Sequence, residues 1–171
     1  MQKLTPNQVG KIGETWVLYK LSRMGINAVL APENTDAVDI LAATTEGVPF
    51  AIQVKTRTDA TRWLLKKKHE HIRDPRLFYA LVDLGKRLDK ELPDTFIVPS
   101  DVIATVSRVQ FEAWIANTPE GRSRNPNTED RDIRESYSRN RYGEVEGCPD
   151  GWMEKYRENW SLLPAEPEGL I

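Results

Sequence analysis

Val38-Asp39-Ile40-Leu41-Ala42-Ala43-Thr44-Thr45-Glu46-Gly47-Val48-Pro49-Phe50-Ala51-Ile52-Gln53-Val54-Lys55-Thr56 is the stretch on which the fold turns. Val38 to Ala43 and Phe50 to Thr56 each read as a strand, and Thr45-Glu46-Gly47-Val48 reads as the turn between them. A hairpin closing at Glu46-Gly47 makes the strands antiparallel. The start of the first strand, with Asp39, then lies beside the end of the second, with Lys55. Gln53 and Lys55 are two apart, so their side chains share one sheet face. The hairpin therefore predicts that Asp39, Gln53 and Lys55 converge on one small volume.

Upstream, Thr5-Pro6-Asn7-Gln8 carries an N-cap, a proline at the first helical position and a capping-box glutamine. Positions 9, 12, 13, 16, 17, 21 and 24 then repeat small or apolar residues at helical spacing, and Gly25 closes the helix. Gly10 and Gly13 would let another backbone approach closely. Ile26 to Ala31 reads as a strand. Downstream, Trp63 to Leu65 predicts a short strand, Lys66 to Ile72 a basic helical turn, and Leu77 to Leu84 and Thr95 to Val98 two more strands. Pro99-Ser100-Asp101 opens a second helix. From Pro119 to Asp150 the periodicity fails, and Trp152 to Trp160 predicts a last short helix. The expected organisation is a core over residues 1–118. An extension over 119–171, irregular and then helical, packs on it.

The chain has 171 residues, 39% hydrophobic and 29% charged, with a net charge of −2. It is long enough to bury a core without staples. No apolar run reaches membrane-spanning length, and Met1 to Gln8 is polar, which predicts a protein free of the membrane. Cys148 is the only cysteine. An internal disulfide is excluded, a Cys/His zinc site is not offered, and a reducing cytoplasm is the expected compartment. Residues 55–76 hold eight Lys or Arg against three Asp or Glu, a local +5, which leaves −7 on the rest. One basic zone on an acidic body points to a directed anionic partner.

A carboxylate at Asp39, with oxygens from Gln53 or the Val54 carbonyl, suits a hard divalent cation. Such a cation can bind a phosphate and acidify a water. Lys55 could orient or deprotonate that water, or neutralise charge developing on the phosphorane. Gly13-Glu14, Val38-Asp39-Ile40-Leu41 and Ile52-Gln53-Val54-Lys55-Thr56, taken together, resemble the N-terminal core of the PD-(D/E)xK nuclease superfamily. The closer likeness is to its small prokaryotic members of Holliday-junction-resolvase style. It covers roughly residues 5 to 100, by segment reading.

The resemblance implies an α/β fold, a restriction-endonuclease-like mixed sheet flanked by helices, with Mg²⁺ or Mn²⁺ and endonuclease activity on nucleic acid, DNA ahead of RNA. Asp39 takes the acid role, Lys55 the lysine role and Glu14 the helix-borne acid. Gln53 stands where the superfamily usually has Asp or Glu, in the manner of its Q-x-K branches. Val38 stands in place of the proline. Asp39, Gln53, Val54 and Glu14 form the expected metal set. The alternative is a catalytically degenerate module of the same fold, binding nucleic acid or a protein partner. Arg57, Arg62, Lys66, Lys67 and Lys68 are candidate nucleic-acid contacts. A homodimer would suit the cutting of two strands. Asp36 reads as turn chemistry or a spare ligand, and His69 and His71 read as surface histidines.

Overall fold

The computed structural model describes residues 4–32, 35, 37–86, 91–135 and 148–164. Helix α1 spans Pro6–Arg23, with Pro6 at its start and a complete Thr5/Gln8 capping box. Its buried line is Val9, Gly13, Val17 and Leu21, one residue every fourth position. This stripe is narrower than the sequence periodicity predicts, because Ile12 and Met24 are exposed.

Five strands form one sheet. They are β1 (Asn27–Leu30), β2 (Ile40–Ala43), β3 (Pro49–Arg57), β5 (Leu77–Asp83) and β6 (Asp94–Pro99), in the order β1-β2-β3-β5-β6. All neighbours are antiparallel except β3 and β5, which run parallel. The expected hairpin joins β2 to β3. Gly47 takes φ +82, the left-handed conformation that glycine adopts without steric cost. The backbone closes from Thr44 N to Val48 O at 3.1 Å.

A second sheet pairs β4 (Trp63–Lys66) with β7 (Asp130–Ile133). The sequence periodicity does not announce β7. Its inward positions are Arg131 and Ile133, and an arginine does not register as a buried residue in an apolar/polar alternation.

Alternation along the central strands builds two cores. Phe50, Ile52, Val54, Phe78, Ala80 and Val82 face α1. Leu77, Tyr79 and Leu81 face the opposite side, where helix α2 (Ser100–Ala116) and β4 enclose them through Ile103, Val106, Trp63 and Leu65. β5 is buried on both faces, which accounts for its unbroken apolar run. Val17, Leu21, Ile40 and Ile52 are fully buried, and each contributes about 1.5–3 kcal/mol through removal from water.

The tract after residue 118 supplies β7, and residues 148–164 fill both cores. Trp160 and Leu163 join the α1 side, and Trp152, Met153 and Tyr156 join the α2 side. The expected helix over Trp152 to Trp160 is instead two 3-10 turns, Glu154–Tyr156 and Trp160–Leu162. Between them Arg157 bridges to Phe96, and Glu158 N donates to Thr95 O at 2.7 Å. Pairing with the β6 edge holds the chain extended and interrupts the helix. Among the described residues no helix is long and apolar enough to cross a membrane.

Candidate active site

Asp39 sits one residue before β2, where the β2–β3 ladder runs out at Ile40 opposite Ile52. Its own N–H donates to Ile52 O at 3.0 Å. Its carboxylate then extends the ladder: Oδ2 accepts from the Val54 N–H at 2.7 Å. The same oxygen accepts from the Gln53 side-chain amide. The Gln53 Nε2 also lies 3.5 Å from the Val54 carbonyl oxygen. Gln53 is 4% exposed, so its amide is fixed between two oxygens rather than turned to solvent.

Asp39 is half-buried, and loss of water raises its pKa above the ordinary carboxylate value. The Val54 N–H and the nearby Lys55 charge oppose that rise, and Glu14 adds to it. Lys55 is the complementary case. Burial pushes its pKa below the ordinary lysine value, Asp39 and Glu14 pull it back up, and Lys68 pushes it further down. Lys55 makes no ion pair among the described residues. A half-buried ammonium without a direct partner is costly. Such groups cluster where proteins handle charged substrates.

Glu14 is brought in by α1. Gly13 packs against Thr56 of β3, and a Cβ on Gly13 would overlap the Thr56 Oγ1 and lie 3.0 Å from the Thr56 Cβ. The missing side chain lets the helix close on the strand. Gly10, the other small residue of the pair, has open space around it. Glu14 pairs with Lys11 at 3.2 Å, its side chain 21% exposed. It also interacts electrostatically with Asp39 and Lys55. The helix acid is thus a rim ion pair and a member of the site at once.

The basic zone divides. Arg57 is 8% exposed. It is held by Asp83 at 2.8 Å and Glu135 at 2.9 Å, with its guanidinium 3.6 Å from the Trp63 ring centroid. Trp63 is buried and donates to Val82 O at 3.0 Å, so it is a core residue. Arg62 pairs with Asp132 at 3.0 Å and Lys66 with Asp130 at 2.6 Å, both across to β7. Lys67 and Lys68 begin a 3-10 turn, Lys67–Glu70. Lys68 is the member electrostatically coupled to Lys55.

His69 is a correction to the surface reading. It is 3% exposed, with Nδ1 2.6 Å from the Tyr79 hydroxyl, while His71 is exposed. Tyr79 lies opposite Gln53 in the β3–β5 register. Sequence spacing carries no signal for this pair, because Tyr79 reads only as one more residue of a buried strand. Asp36 lies outside the described residues.

Among the described residues there is no group of three or more His, Cys, Asp or Glu placed to hold a metal ion. Among the described residues, the carboxylates of the candidate site are Asp39 and Glu14. The other oxygens are neutral, from Gln53 and the Val54 backbone.

No protein-family model matches the chain, and no curated protein matches it. Among solved structures it is similar to a bacterial homing endonuclease, I-Ssp6803I, at 15% identity and a TM-score of 0.53. The match covers 94% of this chain and 91% of that one. At that identity the likeness concerns the fold alone: the five-stranded mixed sheet flanked by helices is similar to the fold of that endonuclease.

Proposed function

We propose that the protein is a divalent-metal-dependent endonuclease of the PD-(D/E)xK type that hydrolyses phosphodiester bonds of nucleic acid, DNA ahead of RNA. The observation that carries this reading is the pairing of opposite perturbations at one point. A desolvated carboxylate, Asp39, and a desolvated ammonium without an ion pair among the described residues, Lys55, lie at the end of the β2–β3 ladder. The endonuclease fold supports it.

The donor set suits a hard cation. Gln53 Nε2 lies between Asp39 Oδ2 and the Val54 carbonyl. Rotation of that amide by half a turn exchanges its nitrogen and oxygen without moving the chain. Asp39, Gln53 and Val54 would then present three oxygens to one point, with Glu14 adding a second negative charge. Mg²⁺ or Mn²⁺ bound there would supply Lewis-acid polarisation of a phosphate oxygen and acidification of a water. Lys55, half-buried and without an ion pair among the described residues, holds its nitrogen for the attacking water or for charge on the phosphorane. Asp39 is kept in place by the Val54 N–H, so the carboxylate arrives oriented.

Incubation of the purified protein with plasmid DNA and structured RNA in Mn²⁺ tests the proposal. Nicking or cutting by the wild type, and its loss in Lys55→Met, is the expected result. Equal activity in both proteins would refute the mechanism.

A second reading, a non-cleaving module of the same fold, draws on the Gln53–Asp39 hydrogen bond, which satisfies the carboxylate without a cation. Titration calorimetry with Mn²⁺ separates the two. Absence of binding at millimolar metal favours the module.

A further inference from the structure

Between helix α2 and the β4–β7 ribbon lies a cavity of about 410 Å³, within the size range of small-molecule sites. None of its lining residues belongs to the candidate active site. Its walls are tied together through the backbone of Arg134, the residue after β7. The Arg134 N–H donates to Gln110 Oε1 of α2 at 3.2 Å, and its carbonyl accepts from Trp152 Nε1 at 3.0 Å. The end of the ribbon is thereby fixed to α2, and the cavity is built into the fold.

One wall is aromatic. Phe111 and Trp114 are three apart on α2 and so share a side of the helix. Their ring centroids lie 5.7 Å apart, with the planes tilted by 31°. Each ring already carries a guanidinium, Arg131 at 3.5 Å from the Phe111 centroid and Arg124 at 4.6 Å from that of Trp114. Flat, electron-poor groups rest on this wall. The ribbon contributes Leu64, an apolar side chain 48% exposed.

The polar part of the lining is unevenly balanced. Arg62 and Arg134 both donate to Oδ2 of Asp132, at 3.0 and 3.3 Å. One carboxylate thus serves two guanidiniums, and its Oδ1 accepts no hydrogen bond among the described residues. Asp130 is held by Lys66. Arg124 donates to the Trp114 carbonyl and has no ion pair among the described residues. The lining therefore combines a guanidinium without a counter-charge, a carboxylate oxygen without a donor and an aromatic wall. A simple anion or an acidic peptide would be drawn to Arg124 but would also meet two carboxylates. A ligand with a flat ring, N–H donors and an anionic group satisfies all three features, and a nucleotide has that chemistry.

We propose that this cavity binds a nucleotide. The base stacks on the Phe111–Trp114 wall against Leu64, its N–H groups donate to Asp132 Oδ1, and Arg124 neutralises its phosphate. The nucleotide comes either from a bound strand, with its base turned out of the stack, or from solution as a free mononucleotide. The first source rests on the proposed nucleic-acid substrate and the second does not.

Titration calorimetry in EDTA, with nucleoside 5′-monophosphates and with inorganic phosphate, tests the site without metal or hydrolysis. The wild type is expected to bind the nucleotides and to bind inorganic phosphate at least tenfold more weakly. Arg124→Gln and Trp114→Leu should each weaken nucleotide binding by about tenfold or more. Arg122→Gln removes the same charge two residues away, outside the lining, and should stay within about twofold of the wild type. If Trp114→Leu does not fold, Leu64→Ser, at an exposed position, replaces it with the same expected loss. No nucleotide binding by the wild type overturns the proposal. So does binding that Arg124→Gln and Trp114→Leu leave unchanged, that Arg122→Gln weakens equally, or that inorganic phosphate matches.

Duplex DNA with and without one mispaired position identifies the source, because a mispaired base costs less to turn out. Tighter binding of the mispaired duplex, lost in Trp114→Leu, assigns the cavity to a base of the strand. Equal binding of the two duplexes, beside variant-sensitive mononucleotide binding, assigns it to a free nucleotide. Plasmid cleavage in Mn²⁺ is read separately. A protein that binds nucleotides as expected but does not cleave overturns the nuclease proposal and supports the cavity, and one that cleaves without binding them does the reverse.

Discussion

The end of the β2–β3 hairpin and the β4–β7 ribbon are both rich in charge, and they treat it in opposite ways. Along the ribbon, charges find direct partners: Arg62 with Asp132, Lys66 with Asp130, and Arg131 with Glu70. Arg57, on β3 beneath the ribbon, has Asp83 and Glu135. At the hairpin end, Lys55 has no ion pair among the described residues, and the Asp39 carboxylate is met by an amide and a backbone N–H. Paired charges hold two pieces of chain together. Unpaired, desolvated charges store an interaction that a ligand can complete. The difference separates the basic residues that build this molecule from Lys55, to which the proposed function assigns a ligand.

The largest expected effect breaks the comparison on its functional side. Asp39→Asn and Lys55→Met should each lower the initial rate of Mn²⁺-dependent plasmid nicking by about 10²–10³-fold. Lys55→Met should also raise the urea midpoint at neutral pH, because a desolvated cation is removed. The sign of the pH dependence follows. Folding lowers the Lys55 pKa below its ordinary value of 10.5, so between the two values the unfolded chain binds more protons and stability rises with pH. The advantage of Lys55→Met should therefore shrink as the pH climbs through the lowered pKa towards 10.5, measured by urea unfolding at a series of pH values. An advantage that grows with pH would contradict the assignment.

On the structural side, Arg131→Ala should cost about 3–5 kcal/mol in urea denaturation, because it strands the buried Glu70 carboxylate. The contrast would collapse if Arg131→Ala were tolerated and Lys55→Met were not. Gly13→Ala tests the joint between α1 and the site. A methyl group against Thr56 should cost about 1–3 kcal/mol by overpacking, and it should reduce cleavage by pushing Glu14 away. Normal stability with normal activity would show that the helix need not close on β3. Smallest of all, Arg62→Gln breaks a half-exposed pair and should shift stability by no more than about 1 kcal/mol. A larger loss would move Arg62 among the buried structural charges.

Much of this contrast was invisible along the chain. Residues 55–76 read as one basic zone, yet Arg57 is interior, Arg62 and Lys66 face carboxylates of β7, and only Lys68 is coupled to Lys55. The partner strand β7 begins more than 60 residues later at Asp130. Its D-R-D-I pattern hides a buried arginine, so neither it nor its pairing could be read from periodicity. Glu14 was legible, through the resemblance, as an acid borne on the first helix. That Gly13 brings it to Asp39 and Lys55 needed the packing of α1 on Thr56.

Local information sufficed for elements whose signals are local. The Thr5/Gln8 capping box set the start of α1, and Gly47 set the hairpin. Period-two spacing put Gln53 and Lys55 on one face, because each of these follows from backbone sterics and hydrogen bonding within a few residues. Only the tertiary structure decided which charges are spent and which are left over. Desolvation and ion pairing depend on groups from distant parts of the chain, and no local pattern encodes how far a lysine lies from water or from the nearest carboxylate.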